Sequence, residues 1–448
     1  LGETKRRLNR GLGDILIERS DLMLTVAIIF IILLLLNVPL AFTIGISSLF
    51  FFFTASSLSF TIPVQKMMAS TQSFPLLAVP FFVLAGNLMN ATGITRRLVN
   101  FSTVLTGHLR GGLAHVSCVL STLMGGISGS ACADAAMEAR ILGPAMTEKG
   151  YSKGYSAAVI GMTSLITATI PPGIGLILYG VTGEVSVGKL FIAGIIPGII
   201  MMFALMFTSG MIAKKRAYPV ERETPPAWKE VWTSLIDSIW ALIFPLILIV
   251  GIRFGFFTPS EAGAFAVVYA FFIGKFVYKE LSMKDFFEVL RTTVSDNGVI
   301  LFIIMASGIF GYDIIYDKVP QNMAMFITGL SSSKWMILTI ILGFVFISGM
   351  FMEATVNTLL LTPIFLPIIK NYGFDPVYFG ILFMTIVTMG GMTPPVGVTM
   401  YTTCSIMNCP IEDYVKESWP FVLAIIIEIV VLAAFPGVVT FLPNLIFK

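Results

Sequence analysis

The segment TATIPPG at 167–173 is answered by GGMTPPVG at 390–397, and each interrupts a long apolar run. Proline lacks a backbone N–H and its ring clashes with the preceding turn, so paired prolines inside such a run predict a helix broken near mid-span. Aligning Pro171 and Pro172 with Pro394 and Pro395 sets an offset of 394 − 171 = 223 residues. At that offset Gly126 meets Gly349, Asp134 meets Asn357, Pro144 meets Pro367, Gly150 meets Gly373, Tyr155 meets Tyr378 and Pro197 meets Pro420. Upstream, FFVLAG at 81–86 faces LFIIMAS at 301–307. Breakers that coincide without a gap identify an internal repeat.

Each repeat has the same grammar. An apolar run stops at a small, polar cluster, GGISGSACAD (125–134) or SGMFMEATVN (348–357), a second apolar run follows, and then comes the broken helix. Backbone inside a bilayer must be hydrogen-bonded internally, so a non-helical tip at mid-depth is tolerated only against a cavity or inside protein. The expected parts are two re-entrant hairpins at 112–147 and 336–369 and two Pro-Pro-broken helices at 155–182 and 376–402. Other apolar stretches fall at 22–56, 73–90, 189–213, 231–252, 260–274, 287–316 and 419–443, to be set against a hydrocarbon core about 30 Å thick. Asn37-Val38-Pro39 either divides the first stretch or kinks a single span. Five crossings between the hairpins would bring the second in from the opposite face. Inverted repeats with broken helices mark secondary transporters with a site at the midplane.

The resulting division is an arm at 1–21, a first repeat at 22–213 with scaffold helices at 22–111, a linker at 214–230, and a second repeat at 231–448 with scaffold helices at 231–316. Composition agrees with a polytopic, all-α membrane protein. Of 448 residues 56% are hydrophobic and 12% charged, where a soluble domain carries roughly 25% charged residues. Mean hydropathy is +0.91. A net charge of +3 lacks the concentrated basic face that nucleic acid requires. Four cysteines and two histidines without paired spacing support neither zinc nor a disulfide framework. Clustered Lys and Arg place 96–110 and 214–229 in the cytoplasm. The opening LGETKRRLNRGLGDILIERSD has no signal-peptide pattern and reads as a basic amphipathic arm or as the junction to a fused upstream subunit. No phosphate loop, His-Glu-x-x-His or Gly-x-Ser-x-Gly motif is present, so the chain reads as a transporter and not as an enzyme.

A break releases carbonyls, and with Ser and Thr hydroxyls these make an oxygen cage for a hard, singly charged cation. The half-helix that begins after the break offers exposed N–H groups and partial positive charge to a carboxylate. The first cage takes Gly125, Ser128 and Ser130 from the tip and Thr167, Thr169 and Gly173 from the break; the second takes Ser348, Gly349 and Thr355 with Gly390, Thr393 and Gly397. The competing reading is that small residues only permit close helix packing. For the substrate the candidates are Ser128, Ser130, Asp134, Glu353 and Asn357. Asp134 either caps its helix or joins the site, and Asn357 at the repeat position would cap equally well. Glu138 and Arg140 read as a pair, and Glu428 has no evident partner.

The tip SGSACADAA with ILGPAMTEKGY and IPPG, and the later GMFMEATVN with LTPIFLPI, GFDPVYFG and MTPPVG, resemble the large membrane subunit of the tripartite ATP-independent periplasmic (TRAP) transporters. The resemblance covers 22–445. SFPLLAVPFF (73–82), KLFIAGIIPG (189–198) and GKFVYKEL (274–281) look most like the sialic-acid branch, from which AAMEARILGP departs. The resemblance implies an elevator-type ion-transporter fold driven by sodium, Na+ being bound at the tips and breaks; two repeats suggest at least two ions. It also implies a small four-helix membrane subunit, separate or fused, a soluble periplasmic substrate-binding protein, an organic-acid substrate, surrounding lipid and a bacterial inner membrane. An organic-anion permease without a binding protein, and a channel-like scaffold subunit, are the alternatives.

Overall fold

The computed structural model describes residues 22–36, 38–54, 58–330 and 333–447, and every regular element among the described residues is helical. The arm at 1–21 and Asn37 lie outside them. The chain opens with α1 (Leu22–Leu35) and α2 (Leu40–Thr54), on either side of Val38-Pro39. It continues through α3 (Thr61–Thr71), α4 (Ala78–Ala91) and α5 (Ile94–Thr106). Then come α6 (Gly112–Gly125), α7 (Ala131–Glu148), α8 (Lys153–Thr169), α9 (Ile174–Thr182) and α10 (Val187–Arg216). After residues 217–227 follow α11 (Trp228–Arg253), α12 (Pro259–Phe272), α13 (Met283–Tyr316) and α14 (Val319–Leu330). The last group is α15 (Lys334–Phe351), α16 (Ala354–Asn371), α17 (Pro376–Gly390), α18 (Val398–Met407), α19 (Ile411–Ala434) and α20 (Pro436–Ile446).

Among the described residues, seven helices are long and apolar enough to cross a membrane, or eight when α8 and α9, bent by 45° at the first Pro-Pro break, count as one span. This is a multi-pass membrane protein. The apolar stretch at 419–443 is not one helix as its hydropathy predicts. Pro436 has no N–H to continue α19, Phe435 adopts φ −123° and ψ 73°, and α20 starts afresh at Pro436.

The element boundaries return at the offset of 223. Adding it to α7 (131–148) gives 354–371, the bounds of α16. Side-chain roles return as well. The Tyr155 hydroxyl donates to the Ser209 carbonyl at 3.4 Å and that of Tyr378 to the Ala433 carbonyl at 3.0 Å, positions that differ by 224 residues.

The helices that lead into the breaks form the core. From Gly154 to Thr169 and from Val377 to Gly390 every residue is buried, as expected of helices apolar on all sides. α8 is packed by α6, α7, α17, α18 and α19, and α17 by α15 and α16. Tyr179 of α9 donates to the Pro376 carbonyl at 2.8 Å and so ties α9 to the start of α17. A second group of helices is built from α2, α3 and α4 against α13, α4 against α12, and α5 against α11. Arg97 fastens it: its guanidinium stacks 3.7 Å from the Tyr278 ring and meets Glu280 at 3.0 Å and Asp237 at 3.5 Å. Exposed Leu24, Ile28 and Leu35 on α1, and Trp232, Ile236 and Trp240 on α11, are the lipid-facing surface such helices require.

Candidate functional site

Between the two groups lies a cavity of about 410 Å³, within the roughly 300–1,000 Å³ of small-molecule sites. Its wall contains Ala131, Ile174, Ala354 and Val398, which are the first residues of α7, α9, α16 and α18. Four helix N-termini therefore converge on one space. Each carries backbone N–H groups that its own helix leaves unbonded and a partial positive charge worth about 0.3–1 kcal/mol toward an anion, up to about 2 kcal/mol when partly buried. Val299, Ile300 and Ile303 of α13 and Leu40 of α2 close the space with apolar side chains.

The loop chemistry explains why the helices start there. Gly129 turns the first tip at φ +59°, and its carbonyl accepts from the Ile174 N–H at 3.2 Å. Ser130 is the N-cap of α7. In the second tip Glu353 is the N-cap of α16, and its carboxylate accepts from the Thr355 N–H at 2.8 Å and from the Thr355 hydroxyl at 3.0 Å. Gly397 is the N-cap of α18, at φ +54°, a left-handed conformation that favours glycine, and its N–H donates to the Met350 carbonyl at 2.9 Å.

Of the residues singled out in the sequence, Ser130, Glu353 and Thr355 stand on the cavity wall. Gly173, Gly390 and Gly397 each adjoin a wall residue, Ile174, Gly391 and Val398 respectively. Ser128 is held in the first tip, its buried hydroxyl oxygen without a hydrogen-bond partner among the described residues. The Thr169 hydroxyl donates to the Leu165 carbonyl at 3.0 Å and that of Thr393 to the Gly390 carbonyl at 2.9 Å. Pro171-Pro172 and Pro394-Pro395 are both cis.

The remaining candidates lie behind the wall. Asn357 braces the second tip: its Oδ1 accepts from the Ser348 hydroxyl, and its Nδ2 donates to the Met352 carbonyl at 2.9 Å. Asp134 lies against α8, with Oδ2 at 2.6 Å from the Thr167 hydroxyl. Gly125 and Gly349 are packing positions. A Cβ on Gly125 would stand 2.7 Å from Ile170 Cβ, and one on Gly390 would stand 2.7 Å from Gly349 Cα. The expected pair of Glu138 with Arg140 does not form. Residues two apart leave a helix on different faces, so Glu138 is buried against Ser117 and Ser121 while Arg140 faces outward.

Sequence reasoning missed Thr388, Gly391 and Thr399, which flank the second break and line the cavity. Their signal was proximity to Pro394. It also missed the α13 wall, whose apolar residues carry no signal in a membrane helix.

Comparisons with known proteins agree with this architecture. The family described as "Tripartite ATP-independent periplasmic transporter, DctM component" matches residues 27–438. The chain is 35% identical over 420 residues to the sialic acid TRAP transporter permease protein SiaT of Haemophilus influenzae, covering 94% of this chain and 68% of that one. It is 32% identical over 430 residues to the C4-dicarboxylate TRAP transporter large permease protein DctM of Rhodobacter capsulatus, covering 93% and 97%. Its fold is similar to the crystal structure of the Alcanivorax borkumensis YdaH transporter, with a TM-score of 0.60 at 13% identity over 92% of this chain and 98% of that one. The chain thus belongs to the DctM-component family of TRAP transporters, and it is a transporter permease subunit rather than an enzyme.

Proposed function

We propose that this chain is the translocating subunit of a sodium-coupled importer of carboxylate-bearing organic acids. The observation that carries this reading is the convergence of four helix N-termini on one cavity. Their backbone N–H groups suit a carboxylate, whereas the hydroxyls of Ser128, Thr169 and Thr393 and the carbonyls of the breaks suit Na+. Relatives named for sialic acid and for C4-dicarboxylates support an organic acid as the class, sialic acid or another sugar acid included.

The five spans between α7 and α15, namely α8 with α9, α10, α11, α12 and α13, support an inverted repeat. Under that reading α6–α9 and α15–α18 carry the ligands and move as one body across the bacterial inner membrane. The helices α1–α5 and α11–α13 stay fixed and offer their apolar faces to lipid and to a small four-helix subunit. Rigid movement carries the site across the barrier without exchanging ligands midway. A soluble periplasmic binding protein delivers the acid, in keeping with the tripartite description of the family.

The test is uptake into liposomes under an imposed sodium gradient, with and without the binding protein, over sialic acid, succinate and aldonic acids. Accumulation of one acid that needs both sodium and the binding protein is expected. Accumulation without the binding protein would leave a simple permease, and flux that never exceeds the acid's own gradient would leave a channel.

A further inference from the structure

The face of α13 that packs on α2 carries a carboxyl group near its end. Phe302 sets its ring centroid 5.1 Å from that of Phe42, a Cβ on Gly45 would stand 3.9 Å from Ala306 Cβ, and the Tyr316 ring lies 5.9 Å from that of Phe51. Both sequences ascend together, so the two helices run parallel. Ser48 falls between Gly45 and Phe51 on one, and Asp313 between Ala306 and Tyr316 on the other. Each is 0% exposed. The Ser48 hydroxyl is the polar neighbour of the Asp313 carboxyl, yet among the described residues neither Asp313 oxygen nor Ser48 Oγ has a hydrogen-bond partner. Three oxygens thus turn their lone pairs into one enclosed space.

Among the described residues no buried positive charge answers them. Asp313 takes part in none of the ion pairs, and the last turn of α13 has no basic residue. Of the helices packed at this level, α1 and α2 have no lysine or arginine, and α3 has Lys66, exposed and set 5.0 Å from the Tyr312 ring. Lys318, at the turn into α14, is exposed as well. The helix end adds to the imbalance: its last turn carries partial negative charge, and Asp317, also buried, is the C-cap. A protonated Asp313 would give its hydrogen to Ser48, and no such bond is formed. A bare carboxylate is not sustained in such surroundings. Oxygens so enclosed are beyond the reach of another chain's side chain, so what answers them is small.

We propose that Asp313 and Ser48 hold a singly charged hard cation, of which Na+ is the probe, and that this ion fastens α2 to α13. One carboxylate neutralises one such ion, and carboxylate and hydroxyl oxygens are the donors that hard cations take. The site stands ten residues beyond Ile303 of the cavity wall, about 15 Å along α13. It belongs to helices apart from the tips and breaks, and it rests neither on their binding of sodium nor on the proposed movement.

The test is thermal unfolding of the full chain in detergent, titrated with NaCl against choline chloride at constant ionic strength. It is run in wild type and in a Thr169→Val, Thr393→Val background, where ions at the breaks are weakened. Sodium should raise the midpoint saturably in both, and Asp313→Asn should remove most of the rise in that background. Ser48→Ala, which keeps the carboxylate, should raise the sodium concentration for half the effect by about threefold or more. A rise undiminished by Asp313→Asn would overturn the proposal. So would an unchanged half-effect concentration in Ser48→Ala, which keeps the test open where Asp313→Asn fails to fold, or the absence of any rise in the threonine background. Because no transport is measured, failure here leaves the sodium-driven uptake reading standing, and uptake without sodium leaves this site standing.

Discussion

Gly349 and Gly390 meet backbone to backbone, so that a Cβ built on Gly390 would stand 2.7 Å from both the Cα and the carbonyl carbon of Gly349. Through this contact α15 and α17 approach more closely than any side chain would allow, and the second break is held against the second tip. Gly390→Ala should therefore destabilise the protein by about 1–3 kcal/mol, the usual cost of overpacking. Gly343→Ala, on α15 with no described atom within 4 Å of the added Cβ, should be neutral or stabilising by about 0.5–1 kcal/mol. Thermal unfolding in detergent decides it, and equal midpoints for the two variants would mean the glycine contact is loose.

The opposite entry of the two hairpins is open to labelling. Glu148 ends α7 and Asn371 ends α16 at the equivalent position, and both are exposed. Single cysteines at these sites, in a background lacking the four native cysteines, should react with an impermeant thiol reagent from opposite sides of the membrane. Reaction of both from one side would make the crossing count wrong by one.

Hydroxyls at the breaks should set the sodium requirement. Thr169→Val and Thr393→Val each exchange a hydroxyl for a methyl of similar size, at roughly 1–3 kcal/mol. That corresponds to about a five- to hundredfold higher sodium concentration for half-maximal uptake. Each hydroxyl already gives its hydrogen to a carbonyl of its own helix, so its lone pairs are what remains for an ion. An unchanged sodium curve in both variants would assign the breaks a structural role only.

Movement of the ligand-bearing helices past the others should be stopped by tying them together. Ile300 on α13 and Val356 on α16 both line the cavity. Cysteines placed there and bridged by a thiol crosslinker should abolish uptake, and cleavage of the bridge should restore it. Full uptake by a demonstrably bridged protein would rule out relative motion at this face.

Much of this architecture was legible because proline and glycine act through the backbone. Pro171, Pro172, Pro394 and Pro395 mark the breaks whatever surrounds them, and the coincidence of Asp134 with Asn357 placed both tips. Direction was harder to read. Glu138 looked like a partner for Arg140 because the two are close in sequence, yet a helix turns them apart and gives Glu138 to Ser117 and Ser121. The cavity wall was the least legible part. The donors proposed for the acid are the N–H groups of Ala131, Ala354 and Val398, and no side chain advertises a backbone donor. Ile300 and Ile303 read like any lipid-facing residue until the fold sets them opposite the tips.

The two tips differ in length: residues 126–130 separate α6 from α7, whereas only 352 and 353 separate α15 from α16. Under the proposed movement, two interchangeable tips acting as gates would give the inward-open and outward-open forms equal energy and leave direction entirely to the gradients. Unequal gates remove that degeneracy. Under the proposed movement one orientation would be the ground state before any ion or acid binds, and a split of about 1.4 kcal/mol alone would make it tenfold more populated. On that reading the resting bias of the transporter would be written into the length of a loop.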